Sequence, residues 1–113
     1  MRVTFVLVLV LAAACRERVE PQLPSGAELF RENGCAACHG AQGRGDGTAA
    51  RGTALHPRDL ADPKSYRNGA TAGAIADTIA TGLRSGMPAF AHIPPDERRA
   101  LAEFIVSLQK KEE

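Results

Sequence analysis

The chain has 113 residues, of which 44% are hydrophobic and 24% are charged, as is typical of one soluble globular domain. Its 14 basic and 13 acidic residues give a formal charge of +1. This balance excludes a strongly basic protein and argues against nucleic acid as a partner.

The first fourteen residues, "MRVTFVLVLVLAAA", have the pattern of a secretory signal peptide, with Arg2, an apolar run and three alanines. The apolar run is shorter than the roughly 18 residues that indicate a membrane span. Removing residues 1–14 removes Arg2 and leaves 13 basic and 13 acidic residues, a formal charge of zero. This zero mean charge predicts only weak electrostatic steering of partners.

Cys15 follows the alanines directly and is one of three cysteines. If Cys35 and Cys38 are used together, Cys15 is left over in an oxidising compartment and needs a function. Its position resembles the lipobox of bacterial lipoproteins, whose thiol receives a diacylglycerol. Lipidation is favoured over cleavage that leaves a free thiol and over an uncleaved anchor. Residues 16–24, "RERVEPQLP", are polar with two prolines and predict a tether. We therefore expect an exported protein whose 15–24 segment anchors a domain of residues 25–113 to a membrane, facing the bacterial periplasm.

Residues 25–38 predict a short helix that runs into the cysteine pair. Ser25 and Glu28 have the spacing of a capping box, and Leu29 and Phe30 begin an apolar face. The following stretch, residues 40–53, contains five glycines and predicts a loop without side-chain bulk.

The sequence "CAACH" at residues 35–39 carries the chemistry. A disulfide would leave His39 unused, and a thioredoxin-like redox pair needs a βαβ context that this chain lacks. A zinc site needs four ligands, and the chain has no second cysteine pair. C-x-x-C-H is the attachment signature of c-type haem, in which Cys35 and Cys38 form thioethers and His39 ligates the iron. We therefore predict one covalent haem c.

Residues 71–81 predict a second helix, with Ile75 and Ile79 four apart and Gly82 as its C-terminal cap. Met87 follows in "RSGMPAF", where the neighbouring glycine and proline favour a loop. Met1 lies in the signal peptide, so Met87 is the remaining methionine that can be the second axial ligand. The alternatives are a core-filling role for Met87 or ligation by His56 or His92.

The last helix is predicted to begin at Pro95, which suits a first helical position. Its apolar residues Leu101, Phe104, Ile105 and Leu108 lie on one face. The chain shows no alternating strand pattern, so the predicted class is all-α, with three or more short helices and long loops. A domain this small often needs a cofactor to complete its core.

These residues together resemble a class I c-type cytochrome, similar to the single-haem domains attached to haem-copper oxidases. The similarity spans about residues 25–109 and is carried by "ELFRENGCAACHGAQGRGDG", "HPRDL", "IATGLRSGMPAF" and "LAEFIVSL". It implies a cytochrome c fold wrapped around one haem, in which Gly26 and Phe30 of the first helix cross the last helix at Phe104. It also implies that the Pro57 carbonyl accepts a hydrogen bond from His39 and that Arg58 neutralises a haem propionate.

A haem iron with His39 and Met87 as axial ligands has no open position for a substrate. The expected function is therefore one-electron transfer between redox protein partners, without enzymatic activity or a small-molecule substrate. Two alternatives are a gas- or peroxide-binding sensor or enzyme with an open sixth position, and a fixed subunit of a larger respiratory or dehydrogenase complex.

Overall fold

A computed structural model describes residue 18 and residues 20–110. The predicted signal peptide and Cys15 lie outside the described residues. Within them the structure has helices and no strand, which confirms the all-α class. The four α-helices are α1 (Gly26–Glu32), α2 (Cys35–His39), α3 (Ala72–Thr81) and α4 (Pro95–Leu108), with 3₁₀ turns at Thr48–Ala50 and Pro63–Ser65.

Helix α1 begins at the predicted capping box. The Glu28 amide donates to the Ser25 hydroxyl at 3.2 Å, and the Ser25 amide donates to the Glu28 carboxylate at 2.8 Å. The predicted single helix over 25–38 is wrong, because the chain breaks between α1 and α2. Gly34 has φ +76°, a left-handed conformation that favours glycine, and Asn33 donates its side-chain amide to the Leu29 carbonyl at 2.9 Å. The break separates α1 from α2 by Asn33 and Gly34.

Helices α3 and α4 match their predicted positions. Thr71 caps α3 by accepting from the Ala74 amide at 3.2 Å, and Gly82 ends it. Ile75 and Ile79 are buried, as the spacing predicts. In α4, Leu101 and Ile105 are buried, while Phe104 and Leu108 are half-buried.

The crossing of α1 and α4 organises the core. The rings of Phe30 and Phe104 meet edge to face, with centroids 5.4 Å apart. At Gly26, an added Cβ would overlap the Ala100 carbonyl oxygen and the Phe104 Cβ, so the backbones approach closely. The predicted contact of Gly26 and Phe30 with Phe104 is confirmed. The connected core comprises Leu29, Phe30, Leu60, Ile75, Ile79, Ile93, Leu101, Ala102 and Ile105.

Two irregular segments, residues 40–71 and 82–94, lie between these helices. In the part of the chain from residue 20 to 110, no helix has the length and apolar character needed to cross a membrane.

Candidate cofactor site

Short helix α2 presents the whole C-x-x-C-H motif to one cavity. Cys35, Cys38 and His39 all line it. Its volume of about 470 Å³ falls in the range typical of small-molecule and cofactor sites. The rest of the lining comes from α1, α3, α4 and the two irregular segments and is largely apolar. Its apolar side chains include Phe30, Leu55, Leu60, Ile75, Ile79, Leu83, Met87, Phe90 and Ile105.

The two thiols are half-buried and are not joined to each other. Burial raises the pKa of the Cys35 thiol above its usual value, so this group is held in its protonated form. In the described residues, no group of three or more His, Cys, Asp or Glu side chains could hold a metal ion by itself. The donors at this site therefore suit a thioether-linked haem better than a protein-only zinc centre.

The imidazole of His39 is oriented by a backbone carbonyl. Its Nδ1 lies 3.2 Å from the carbonyl oxygen of Arg58, the geometry in which Nδ1–H donates and Nε2 stays free. Burial lowers the pKa of His39, and the Arg58 bond opposes this shift. The ring is thus favoured in the neutral form that can bind a metal.

The acceptor predicted for His39 was the carbonyl of Pro57, and this prediction is wrong by one residue. The Pro57 carbonyl instead faces the glycine loop, where an added Cβ on Gly45 would lie 2.5 Å from its oxygen. Pro57 still lines the cavity.

The glycine-rich loop, residues 40–53, forms backbone hydrogen bonds to the C-terminal end of α2. The Gly45 amide donates to the His39 carbonyl at 2.7 Å, and the Gly47 amide donates to the Cys38 carbonyl at 3.0 Å. A Cβ on Gly47 would overlap the Ala37 carbonyl and the Cys38 backbone. The loop thus satisfies carbonyls at the helix C-terminus that have no partner within the helix. The density of glycines was the sequence signal of this close approach, although their partner could not be read from it.

Met87 reaches the cavity from the loop after α3. Its carbonyl accepts from the Leu83 amide at 2.9 Å, and the Gly86 amide donates to the Leu83 carbonyl at 3.1 Å. The Phe90 amide then donates to the Ile79 carbonyl at 2.8 Å, which ties the loop to α3. Met87 is half-buried and lines the cavity from a loop, as its sequence context predicts.

The rival histidines are both exposed. His56 lines the cavity, whereas His92 does not and instead lies beside Phe90, with ring centroids 5.9 Å apart. The structure therefore brings His56 but not His92 to the site.

Arg58 contributes both its backbone and its side chain. Its guanidinium donates to the Ser65 carbonyl at 2.8 Å and lines the cavity. Sequence reasoning assigned this side chain to a haem propionate, which stays a prediction. The role of its backbone carbonyl was missed, because no side-chain identity encodes it.

Three polar residues in the cavity lining were also missed. The Tyr66 hydroxyl donates to the Leu60 carbonyl at 2.7 Å, and burial raises its pKa above the usual value. The Asn68 side-chain amide donates to the Thr78 hydroxyl at 3.3 Å. All three line the cavity, but they belong to no motif.

Comparison with known proteins places this geometry in a family. The family model described as Cytochrome c matches residues 24–109. No curated protein matches the chain. A chain of the Kuenenia stuttgartiensis reducing HAO-like protein complex Kustc0457/Kustc0458 is similar, with 31% identity and a TM-score of 0.67 over 75% of this chain. The match spans 42% of that longer chain.

A second solved structure, the KustC0563 c-type cytochrome, is similar over its whole length. It shows 25% identity and a TM-score of 0.62, and the match covers 77% of the present chain and 100% of that chain. The family match and the donors around the cavity agree. The chain therefore belongs to the cytochrome c family, and its cofactor is a covalently bound haem c, for which Cys35 and Cys38 fit the attachment motif.

Proposed function

We propose that the protein is a one-electron carrier in which His39 and Met87 are the two axial ligands of the haem iron. The observation that carries this proposal is that Met87, presented by the loop after α3, lines the same cavity as His39 on α2. When bound, the haem supplies reversible one-electron oxidation and reduction, and a Met/His ligand pair favours a high potential.

The side chains around the site are held in place before any partner arrives. The Arg58 carbonyl orients His39, and backbone hydrogen bonds fix the loop on both sides of Met87. Apolar residues form most of the surface around the space between them. With His39 and Met87 both committed to the metal, no position is left for a gas, a peroxide or a substrate. The protein would then have to hold the side chains around the haem in the same positions in the oxidised and the reduced state.

The test is an optical spectrum of haem-loaded protein, first oxidised, then reduced, then exposed to carbon monoxide. We expect the weak far-red band of sulfur-to-iron ligation in the oxidised form and no uptake of the gas by the reduced form. Met87→Ala should lose the band and bind carbon monoxide. His56→Ala and His92→Ala are the matched controls and should leave both results unchanged.

Ready binding of carbon monoxide by the unaltered protein would contradict the proposal and favour a sensor or an enzyme. Loss of the far-red band in either histidine variant would also contradict the assigned ligand pair. The finer similarity to class I domains attached to haem-copper oxidases stays a prediction.

A second candidate function is a fixed subunit of a larger redox complex. The similarity to a chain of the reducing HAO-like protein complex favours it, because that relative is found in an assembly. The discriminating measurement is purification after mild detergent extraction. A stoichiometric partner that stays bound at high salt would support the subunit, whereas the isolated chain would support the shuttle.

We also propose that Cys15 is lipidated and that residues 16–24 tether the domain to a membrane on its periplasmic side. The support is the signal-like N-terminus and the leftover cysteine. Mass spectrometry of the mature N-terminus should show a diacylglycerol-modified cysteine, and Cys15→Ala should release the protein into the soluble fraction. An unmodified Cys15 thiol would overturn this part.

A further inference from the structure

The peptide unit that orients His39 lies between Arg58 and Asp59. Its carbonyl is the one that lies 3.2 Å from Nδ1 of His39. Because a peptide unit is planar, this carbonyl can change direction only if the backbone of Arg58 or Asp59 rotates. The groups that hold these two residues in place therefore act on the imidazole indirectly.

Ser65 is hydrogen-bonded to both of these residues. Its carbonyl accepts from the Arg58 guanidinium at 2.8 Å. Its hydroxyl lies 2.6 Å from the Asp59 carbonyl oxygen and 2.8 Å from that of Asp62, so its single proton is shared between two acceptors. One residue thus holds the chain on both sides of the peptide unit that faces His39.

The turn that carries Ser65 is fixed by its own hydrogen bonds. It is the 3₁₀ turn Pro63–Ser65, whose first residue has a restricted φ because it is proline. The Asp62 carboxylate accepts from the Lys64 amide at 3.0 Å, and the Ser65 amide donates to the Asp62 carbonyl at 3.0 Å. Ser65 is half-buried in this turn. Its hydroxyl is therefore directed at the Asp59 and Asp62 carbonyls by the fold around it.

The backbone around this peptide unit has its acceptors satisfied. From residue 58 to residue 62, every backbone carbonyl accepts a hydrogen bond. The donors, in chain order of the acceptors, are the His39 imidazole, the Ser65 hydroxyl, the Tyr66 hydroxyl, the Lys110 amide and the Ser65 amide. Ser65 occurs twice among these donors and also contacts the Arg58 side chain. It is thus the residue through which most of these contacts pass.

From these contacts we propose that Ser65 is a positioning residue for His39, because through Arg58 and Asp59 it sets the direction of the carbonyl that accepts the imidazole proton. Ser65 does not line the cavity, so its effect is transmitted by these two residues. The inference rests on the proposed function, in which His39 is an axial ligand, and adds a residue outside the attachment motif that tunes this ligand. A hydrogen bond at Nδ1 raises the basicity of the ligating nitrogen, and a more basic ligand favours the oxidised iron. Loss of the Ser65 hydroxyl should therefore weaken this bond and raise the reduction potential.

The test compares haem-loaded wild type with three variants. Ser65→Ala removes the hydroxyl, and Ser65→Thr keeps a hydroxyl at the same position. Ser107→Ala is the matched control, because the Ser107 hydroxyl also donates to a backbone carbonyl, that of Phe104. Ser107 is exposed on α4 and does not line the cavity. We expect Ser65→Ala to fold, since the Asp62 amide still donates to the Asp59 carbonyl at 3.2 Å.

Two quantities are measured on each protein. The first is the rate at which the His39 Nδ1 proton exchanges with deuterium in the reduced protein, followed by proton NMR. Ser65→Ala should exchange this proton about three- to tenfold faster than wild type, because the hydrogen bond that protects it is weaker. The second is the reduction potential. At the wild-type midpoint, the ratio of reduced to oxidised protein should be about two- to fivefold higher in Ser65→Ala. Ser65→Thr and Ser107→Ala should match wild type in both quantities.

An unchanged exchange rate and an unchanged potential in Ser65→Ala would overturn the inference. Equal changes in Ser107→Ala would also overturn it, because the loss of any hydroxyl would then explain them. The same holds if Ser65→Thr behaves like Ser65→Ala, since the hydroxyl would then not be the group that acts. If unaltered reduced protein binds carbon monoxide, the proposed function fails, while the exchange rate of the His39 proton still decides whether Ser65 positions the carbonyl.

Discussion

Two regions of this molecule are stabilised in different ways. The helical frame, formed by α1, α3 and α4, is held by apolar contacts such as the Phe30–Phe104 pair. The loop wall, residues 40–71 and 82–94, places Leu60 and Ile93 in the same core and is otherwise held by hydrogen bonds to backbone groups. The helices of the frame can therefore be predicted from the spacing of apolar side chains in the sequence. The conformation of the wall depends on the directions of backbone carbonyl groups, which the sequence does not specify. Binding residues commonly sit on such loops over a rigid scaffold.

The largest expected effect breaks the frame. Leu101 is 0% exposed at the centre of the core, so Leu101→Ala should lower the free energy of unfolding by about 2–5 kcal/mol through lost burial and a cavity. Denaturant unfolding of haem-loaded protein measures it. Leu23→Ala is the matched control, since Leu23 is 47% exposed, and it should change stability by less than about 0.5 kcal/mol. Equal losses would mean that the core is not the source of stability.

The next effect breaks the wall. Gly47→Ala places a methyl group against the carbonyls of Ala37 and Cys38, so the loop must move away from α2. We expect a loss of about 1–3 kcal/mol in unfolding free energy and a smaller fraction of chains with attached haem, measured by absorbance and mass spectrometry. Unchanged stability with full haem attachment would show that the wall does not position α2.

A smaller effect is expected from a substitution that removes a hydrogen bond of the wall and keeps the packing of the ring. Tyr66→Phe removes the hydroxyl that donates to the Leu60 carbonyl and should cost about 1 kcal/mol at neutral pH. Burial raises the pKa of Tyr66 in the folded protein. The unfolded chain therefore releases this proton first as pH rises past about 10, and wild type loses stability there.

The phenylalanine variant lacks this titration, so its deficit relative to wild type should shrink in alkaline solution. Denaturant midpoints at neutral pH and above the usual tyrosine pKa check both statements. A deficit that grows with pH would contradict the assigned sign.

The smallest effect has the opposite sign. Gly73 lies in the first turn of α3, and nothing lies near an added Cβ. Gly73→Ala should raise the free energy of unfolding by about 0.5 kcal/mol, because alanine loses less backbone entropy in a helix. It is the matched control for Gly47→Ala, with the same added methyl group. A loss of stability in both variants would mean that the close approach at Gly47 is not the reason its added methyl group destabilises the protein.

The contrast between frame and wall also explains what the sequence could predict. Ile75, Ile79, Leu101 and Ile105 recur at helical spacing, so α3, α4 and their buried faces were predicted. The Cys35–Cys38–His39 motif was identified because its residues lie within five consecutive positions, whereas the role of Met87 as an iron ligand stays a prediction. The break at Gly34 was not predicted. The apolar face of α1 was given more weight than the Asn-Gly pair, which is a turn signal.

The residue whose carbonyl accepts the hydrogen bond from His39 could not be predicted from the sequence. Its acceptor is the Arg58 carbonyl rather than that of Pro57, and every residue has a carbonyl. The polar lining of Tyr66, Asn68 and Thr78 was missed for a related reason, because these residue types form no motif and only the fold turns them toward the cavity.

The C-terminal end of α4 has a consequence for the order of folding. The Gln109 side-chain amide donates to the Ala70 carbonyl at 2.8 Å, and the Lys110 amide donates to the Ala61 carbonyl at 2.8 Å. These bonds join residues that are distant in the sequence. Bringing such residues together lowers the conformational entropy of the chain between them, which slows the formation of these contacts. Local helices have no such delay. We therefore expect residues 61–70 to reach their native positions only after α4 has docked, which makes this part of the chain the last to assemble.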